Sequence, residues 1–254
     1  MLDTWEDIVI VILVVVCSLL FKLAVDRVWT KDLRRTHNDL IGWQLSILGT
    51  TYAVIVGFML YAVWNNFGLA EVNTDSEANS LVNVYHLADG LPATQREQLQ
   101  EAARGYANAA VEKDWPLMAR GYEGRLATHV FDQQMWRILM SVKAASPTEI
   151  TAEDHAISEL SSVAEHRRIR QLQSVSRLPG VLWFVLVLGG ALTIMSSCMF
   201  GAESPWLHGL QVFAFSLLVA LALVAIADID RPYEGSVHVS TSAFTRAQSS
   251  MSEP

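Results

Sequence analysis

"WQLSILGTTYAVIVGFMLYAVW", Trp43 to Trp64, runs for 22 residues without a formal charge. About 20 mostly apolar residues in a helix cross the hydrocarbon core of a bilayer, so the stretch reads as a membrane span. It is not uniformly apolar. Gly49, Ala53 and Gly57 recur every fourth residue and form one stripe. Ser46, Thr50 and Val54 form a second, about 100° around the helix from the first. Small residues let helix backbones approach closely, so the first stripe reads as a helix-packing face. The second, turned toward the axis of an assembly, would line a weakly polar passage.

Three more apolar runs accompany this one. Ile8 to Phe21, continued by Leu23 to Val25, is the first, Val181 to Gly201 the third and Trp206 to Ala227 the fourth. Only 17% of the 254 residues are charged, against about a quarter in soluble domains. The first run is not a signal peptide on this reading. Asp3, Glu6 and Asp7 precede it where a positive segment belongs, and no A-x-A cleavage site follows. Each span lacks Asp, Glu, Lys and Arg in its core, which argues against a pump or a proton relay.

Gly68 to Leu178 is a polar insert whose apolar positions keep a helical period. One stripe passes through Leu81, Val84, Tyr85 and Ala88. A second helix runs through Leu99, Ala103, Tyr106 and Ala110, with Thr94 and Glu97 as a capping box. Pro116 and Gly121 are expected to end helices. A third helix carries Phe131, Met135, Ile138, Leu139 and Val142. A fourth opens on Thr151 with Asp154 and continues through Leu160, Val163, Leu172 and Val175 to Pro179 and Gly180. The chain thus divides into a transmembrane pair (1–67), the helical insert (68–178), a second pair (179–227) and a polar tail (228–254), expected to be extended or loosely ordered.

Several function classes fall away. A net charge of −8 argues against nucleic acid, which needs clustered Lys and Arg. No metalloprotease, P-loop, paired-cysteine or nucleophile-elbow motif is present, so neither an enzyme, a metal centre nor a cofactor is expected. His86, His129, His155 and His166 lie on separate stretches and read as surface residues. His208 reads as an interfacial histidine. Cys17 and Cys198 fall inside spans, where small apolar roles are expected. At the head of the second span, His37, Asn38 and Asp39 read either as a helix cap or as a titrating vestibule.

Sidedness turns on positive charge, which favours the cytoplasm. Arg27, Lys31, Arg34 and Arg35 lie between the first two spans. Arg167, Arg168, Arg170 and Arg177 precede the third, and Arg231 and Arg246 lie in the tail. The balance favours a cytoplasmic insert with both termini on the same side.

Five segments together resemble the bestrophin-like family of bacterial and plant membrane proteins. They are "THNDLIG" (36–42), "LGTTYAVIVGFMLYAVWNNF" (48–67), "EANSLVNVYHLADGLP" (77–92), "VEKDWPLMARG" (111–121) and "DIDRPYEGSVHVS" (228–240). The last departs from the usual pattern, which has Phe where this chain has Tyr233. More remotely, Trp64, Asn65 and Phe67 resemble the Trp-Asn-x-aromatic end of the second span of bestrophin channels. Asp230, Arg231, Pro232 and Tyr233 resemble the start of their acid-rich tail.

The resemblance implies an all-α integral membrane protein of four transmembrane helices with the helical insert between spans two and three. It further implies a pentameric homo-oligomer in membrane lipid, passing small monovalent anions through a pore lined by span two. Aligned on "WNNF", the bulky neck positions of bestrophins fall on Ser46, Thr50 and Val54, two of them hydroxyl residues here. Calcium sensing would rest on Asp228, Asp230 and Glu234 alone, with Arg231 among them. The simpler reading of this segment is an Asp–Arg pair tying tail to insert. The rival to a channel is a non-conducting scaffold or signalling protein whose insert binds a partner.

Overall fold

The computed structural model describes residues 4–122 and 124–252; Asp3, used above in reading the first run, lies outside them. Among the described residues every regular element is helical. In chain order they are α1 (Thr4–Val28), α2 (Lys31–Arg35), α3 (Asn38–Leu87), α4 (Ala93–Ala109), α5 (Trp115–Met118), α6 (Thr128–Leu139), α7 (Pro147–Val175), α8 (Gly180–Cys198), α9 (Pro205–Ile229) and α10 (Ser242–Ser250). Four of them, α1, α3, α8 and α9, are long and apolar enough to cross a membrane. The second apolar run is therefore the first part of a 50-residue helix that continues into the insert.

The chain divides into two compact units. The first is Met1–Asn65 with Arg177–Asp230, the second Asn66–Ser176 with Arg231–Pro254.

In the first unit α1 packs on α9 and α8. The glycine pair of "LGGAL" explains how α8 receives α3. A Cβ on Gly189 would stand 2.8 Å from the Tyr52 ring, and one on Gly190 2.8 Å from the Tyr52 hydroxyl. Tyr52 thereby joins Ile194, Cys198, Val212 and Val219 in one core, and Val63, Leu186 and Ile226 form another.

At one end of this unit a set of charges joins loop to loop. Lys22 Nζ lies 2.8 Å from Asp26, which also pairs with Arg34. Arg34 Nη1 donates to the Phe200 carbonyl at 3.2 Å and Lys22 Nζ to that of Pro205 at 3.2 Å. Lys22 and Asp26 both belong to α1, so the charge-free core of this span is shorter than its helix. His208, expected at the interface, is buried, and its Nε2 lies 3.0 Å from the Ser197 carbonyl.

In the second unit α4 packs on α6, α6 on α7 and α10 on α4. Leu81, Leu99, Tyr106, Met135, Leu139, Leu160 and Val163 fill its core, as their helical spacing requires.

Three details differ from the sequence expectation. Thr94 caps nothing, because the N-cap of α4 is Pro92, two residues earlier. The capping box of α7 is Ser146 with Glu149, not Thr151 with Asp154; Thr151 bonds back to the Pro147 carbonyl instead. Pro116 does not stop the helix. A five-residue π segment, Ala110–Asp114, precedes it, and Pro116 then opens a new α-turn where its missing N–H costs nothing.

The tail is also ordered. Beyond Pro232 it turns at Gly235, whose φ of 76° suits glycine. The Val239 N–H donates to the Pro232 carbonyl at 2.7 Å, and α10 then buries Ala243, Phe244 and Ala247.

Candidate functional site

Span two presents two very different sides. Tyr52 and Val63 are buried against α8 and α9, whereas Ser46, Thr50 and Val54 are exposed along their whole line. No hydrogen bond of the described residues involves the Ser46 or Thr50 hydroxyl. Other span hydroxyls do bond back to their own helix: Ser18 donates to Val14 O at 2.7 Å and Thr193 to Gly189 O at 2.7 Å. The small-residue stripe is also uncovered within the chain. Ala53 is exposed, and nothing lies within 4 Å of where a Cβ on Gly49 or Gly57 would stand. Within the first unit, Gly189 and Gly190 of α8 are glycines that do bring another helix close, seating Tyr52 of α3.

At the head of this span Asn38 bonds the turn between α8 and α9. Its Nδ2 donates to the Gly201 carbonyl at 3.0 Å, and its Oδ1 accepts from the Gly201 N–H at 2.9 Å. Both amide atoms are thus committed to another loop rather than to the first turn of α3. His37 and Asp39 are exposed beside it.

At the far end of the segment Trp64 and Asn65 are exposed and Phe67 is buried. Asp230 receives the Leu178 N–H on both carboxylate oxygens at 3.1 Å, closing the break before α8. Arg231 pairs with Glu234 at 3.5 Å. Arg246 of the tail also forms an ion pair with Asp75 of the insert, at 2.7 Å. Among the described residues no three His, Cys, Asp or Glu side chains group closely enough to hold a metal ion.

The second unit contains a feature that the sequence reading missed. Glu77 of α3, Asp114 of the π segment and Arg170 of α7 meet in the core with no exposure. Arg170 Nε donates to Glu77 Oε2 at 2.7 Å and Nη2 to Oε1 at 2.9 Å. The Tyr106 hydroxyl donates to the same Oε1. Asp114 accepts from the Ala127 N–H at 2.7 Å and the Thr128 hydroxyl at 2.6 Å, with Arg170 Nη2 3.5 Å away.

The guanidinium also lies over two rings, 5.2 Å from Trp115 and 5.8 Å from Phe244. Trp115 Nε1 donates to the Val239 carbonyl at 2.9 Å and its ring stands edge-on to Tyr233. Tyr233, in the family-like tail segment, shares a 3.2 Å hydrogen bond with Thr74.

Burial would lower the Arg170 pKa, but the Glu77 charge and hydrogen bonds raise it overall, so the cation is secure. Burial and the neighbouring Glu77 carboxylate push the Tyr106 phenol well above its ordinary value. Burial likewise pushes Tyr233 up to about 12. A signal for this cluster existed in the sequence. Glu77 shares the apolar face of Leu81, Val84 and Ala88, and Arg170 that of Ala156, Leu160 and Val163. One acid and one base on otherwise apolar faces call for each other.

The tail is therefore anchored by the segments "EANS", "KDWP" and "RPYEG", which converge around one arginine. The bestrophin-like domain matches residues 12–244, nearly the whole chain. The chain belongs to the bestrophin-like family. No curated protein matches it.

Its fold is that of bacterial bestrophin homologues. A structure of the homologue from Klebsiella pneumoniae is 11% identical, with a TM-score of 0.70 over 94% of this chain and 96% of the other. Two point variants of that homologue give TM-scores of 0.72 and 0.71 at 10% and 12% identity, covering 95% and 98% of this chain. The bestrophin-like chain is an all-helical, multi-pass membrane protein.

Proposed function

We propose that this bestrophin-like chain is the subunit of an oligomeric ion channel, with the line Ser46, Thr50, Val54 of span two facing the conducting axis. The observation that carries this reading is the pair of hydroxyls on Ser46 and Thr50. They have no bonding partner among the described residues, on a face that the rest of the chain leaves uncovered. Hydroxyls bound to nothing in the chain suit water and ions better than they suit lipid tails. The fold of bacterial bestrophin homologues agrees with such an assembly, and by resemblance the ring has five copies.

The permeant species is a small monovalent anion in this proposal, again by resemblance. The line carries no charge, so selectivity comes from hydroxyl and backbone dipoles and from pore width, and it is modest among similar ions. The insert, the tail and both termini lie in the cytoplasm of a bacterial cell, with Arg167, Arg168 and Arg177 on the retained side.

Liposome flux tests the proposal. Thr50→Phe leaves the oligomer assembled and reduces flux; Thr50→Ala keeps or raises it. Flux that ignores Thr50→Phe moves the pathway off this line. No flux from a well-formed oligomer, across pH, calcium and voltage, replaces the channel with the scaffold.

A further inference from the structure

The helix α7 places Ala164, Arg167, Arg168 and Gln171 on one face, since positions three, four and seven apart lie together on a helix. Across from that face stand Arg125 and His129, from the segment leading into α6 and its first turn. Together they line a pocket of about 380 Å³ in the second unit. Gln171 Nε2 donates to the Gly124 carbonyl at 2.9 Å and so ties the Arg125 segment to α7.

Arg167 is held in place. Its Nη2 lies 3.0 Å from Asp132 Oδ2 and its Nη1 3.2 Å from His129 Nδ1, and its side chain is only 14% exposed. Those two contacts commit two of its five N–H donors. Asp132 balances the charge of Arg167 from behind. Among the described residues that line the pocket there is no acid. Arg125 and Arg168 make no ion pair with any described residue. Two guanidinium groups with no ion-pair partner among the described residues thus line the pocket with a third, preorganised one, in a chain whose net charge is −8.

We propose that this pocket binds a phosphate group. Planar guanidinium forks match phosphate oxygens in paired hydrogen bonds, and a dianion balances the two unmatched charges where a halide balances one. The site goes beyond conduction and does not depend on it. His129 reports the same field. Burial, then Arg167 and Arg125, hold its pKa below the ordinary value against the opposing pull of Asp132. A bound dianion therefore raises it.

The shared chemistry has two sources, a soluble phosphate or the headgroup of a phosphomonoester lipid. The test is calorimetric titration of inorganic phosphate into the full chain in nanodiscs of phosphatidylcholine, at constant ionic strength, and again with phosphatidic acid included. Saturable binding is expected, with chloride giving none. The double variant Arg125→Gln, Arg168→Gln removes only exposed side chains and should weaken binding by about tenfold or more. The variant Arg137→Gln, Lys143→Gln loses the same charge elsewhere on the surface and should leave it unchanged. Weaker phosphate binding in phosphatidic acid assigns the site to a lipid headgroup; equal binding in both lipids assigns it to soluble phosphate. No saturation in phosphatidylcholine, or equal weakening by both double variants, overturns the proposal.

Discussion

Arg170 and Glu77 stand 93 residues apart in the chain and meet through two hydrogen bonds, of 2.7 and 2.9 Å, with neither side chain exposed. Removing one member of such a pair leaves an uncompensated buried charge, which costs about 3–5 kcal/mol. Arg170→Met is the severe case, because Glu77 and Asp114 then share the site without a cation. Thermal unfolding of the detergent-purified protein should show this loss. Glu77→Gln added to Arg170→Met should restore part of it. A change below about 1 kcal/mol for Arg170→Met would place it among ordinary surface pairs.

Alkaline pH should loosen the tail. The Tyr233 pKa is raised from 10.0 to about 12. A raised folded-state pKa means the unfolded chain loses its proton first. Stability from this group is therefore complete below pH 10 and falls as pH rises toward 12, by about 2–3 kcal/mol in all. Tyr233→Phe should flatten that fall while costing about 0.5–1.5 kcal/mol at neutral pH for the lost bond to Thr74. Unfolding followed by tryptophan fluorescence between pH 8 and 12 measures both, and an unchanged alkaline slope in Tyr233→Phe would refute the assignment.

Asp26 holds Lys22 and Arg34 together in the first unit. Asp26→Asn should cost about 2–3 kcal/mol, less than a fully enclosed pair, because water reaches this carboxylate. The same variant paired with Lys22→Met should be less destabilised than Asp26→Asn alone. A double variant as unstable as the sum of its single changes would show that the two side chains do not interact.

Gly57 separates folding from assembly. No atom of another element lies within 4 Å of a Cβ placed there, so Gly57→Leu should leave the stability of the isolated chain within about 0.5 kcal/mol. If the Gly49, Ala53, Gly57 stripe joins copies of the chain, added bulk there should shift detergent-purified oligomer toward monomer. Size-exclusion chromatography with light scattering gives the answer, and an undisturbed oligomer would place the contact on another face.

Much of the architecture was legible without coordinates, for local reasons. Long apolar runs, three of them free of charge and the first continued past Lys22, marked four membrane helices, and a helical period marked the insert from Leu81 to Val175. These signals need only neighbours along the chain. Helix ends were less legible. Pro116 looked like a stop because a π segment before it, which moves proline into a first turn, has no simple sequence signature. The tail looked loose because its polar composition hides Tyr233, Val239 and Phe244, whose partners lie elsewhere in the chain.

The sequence by itself determined which helices exist and which are apolar enough for a bilayer, since hydropathy and periodicity act within one element. It also showed a family-like order of segments. Only the tertiary structure decided which side of span two is covered. Tyr52 seats on Gly189 and Gly190, and that contact, made by residues 137 and 138 positions away, leaves Ser46 and Thr50 uncovered. It likewise decided that Glu77, Asp114 and Arg170 form one buried site while Arg167 and Arg168 line a pocket. Glu77 and Arg170 stood out in one dimension only by lying on apolar helix faces, and nothing there named their partners. Burial and pairing depend on what the other helices bring, and a charge is paired only when a distant partner arrives within hydrogen-bonding reach.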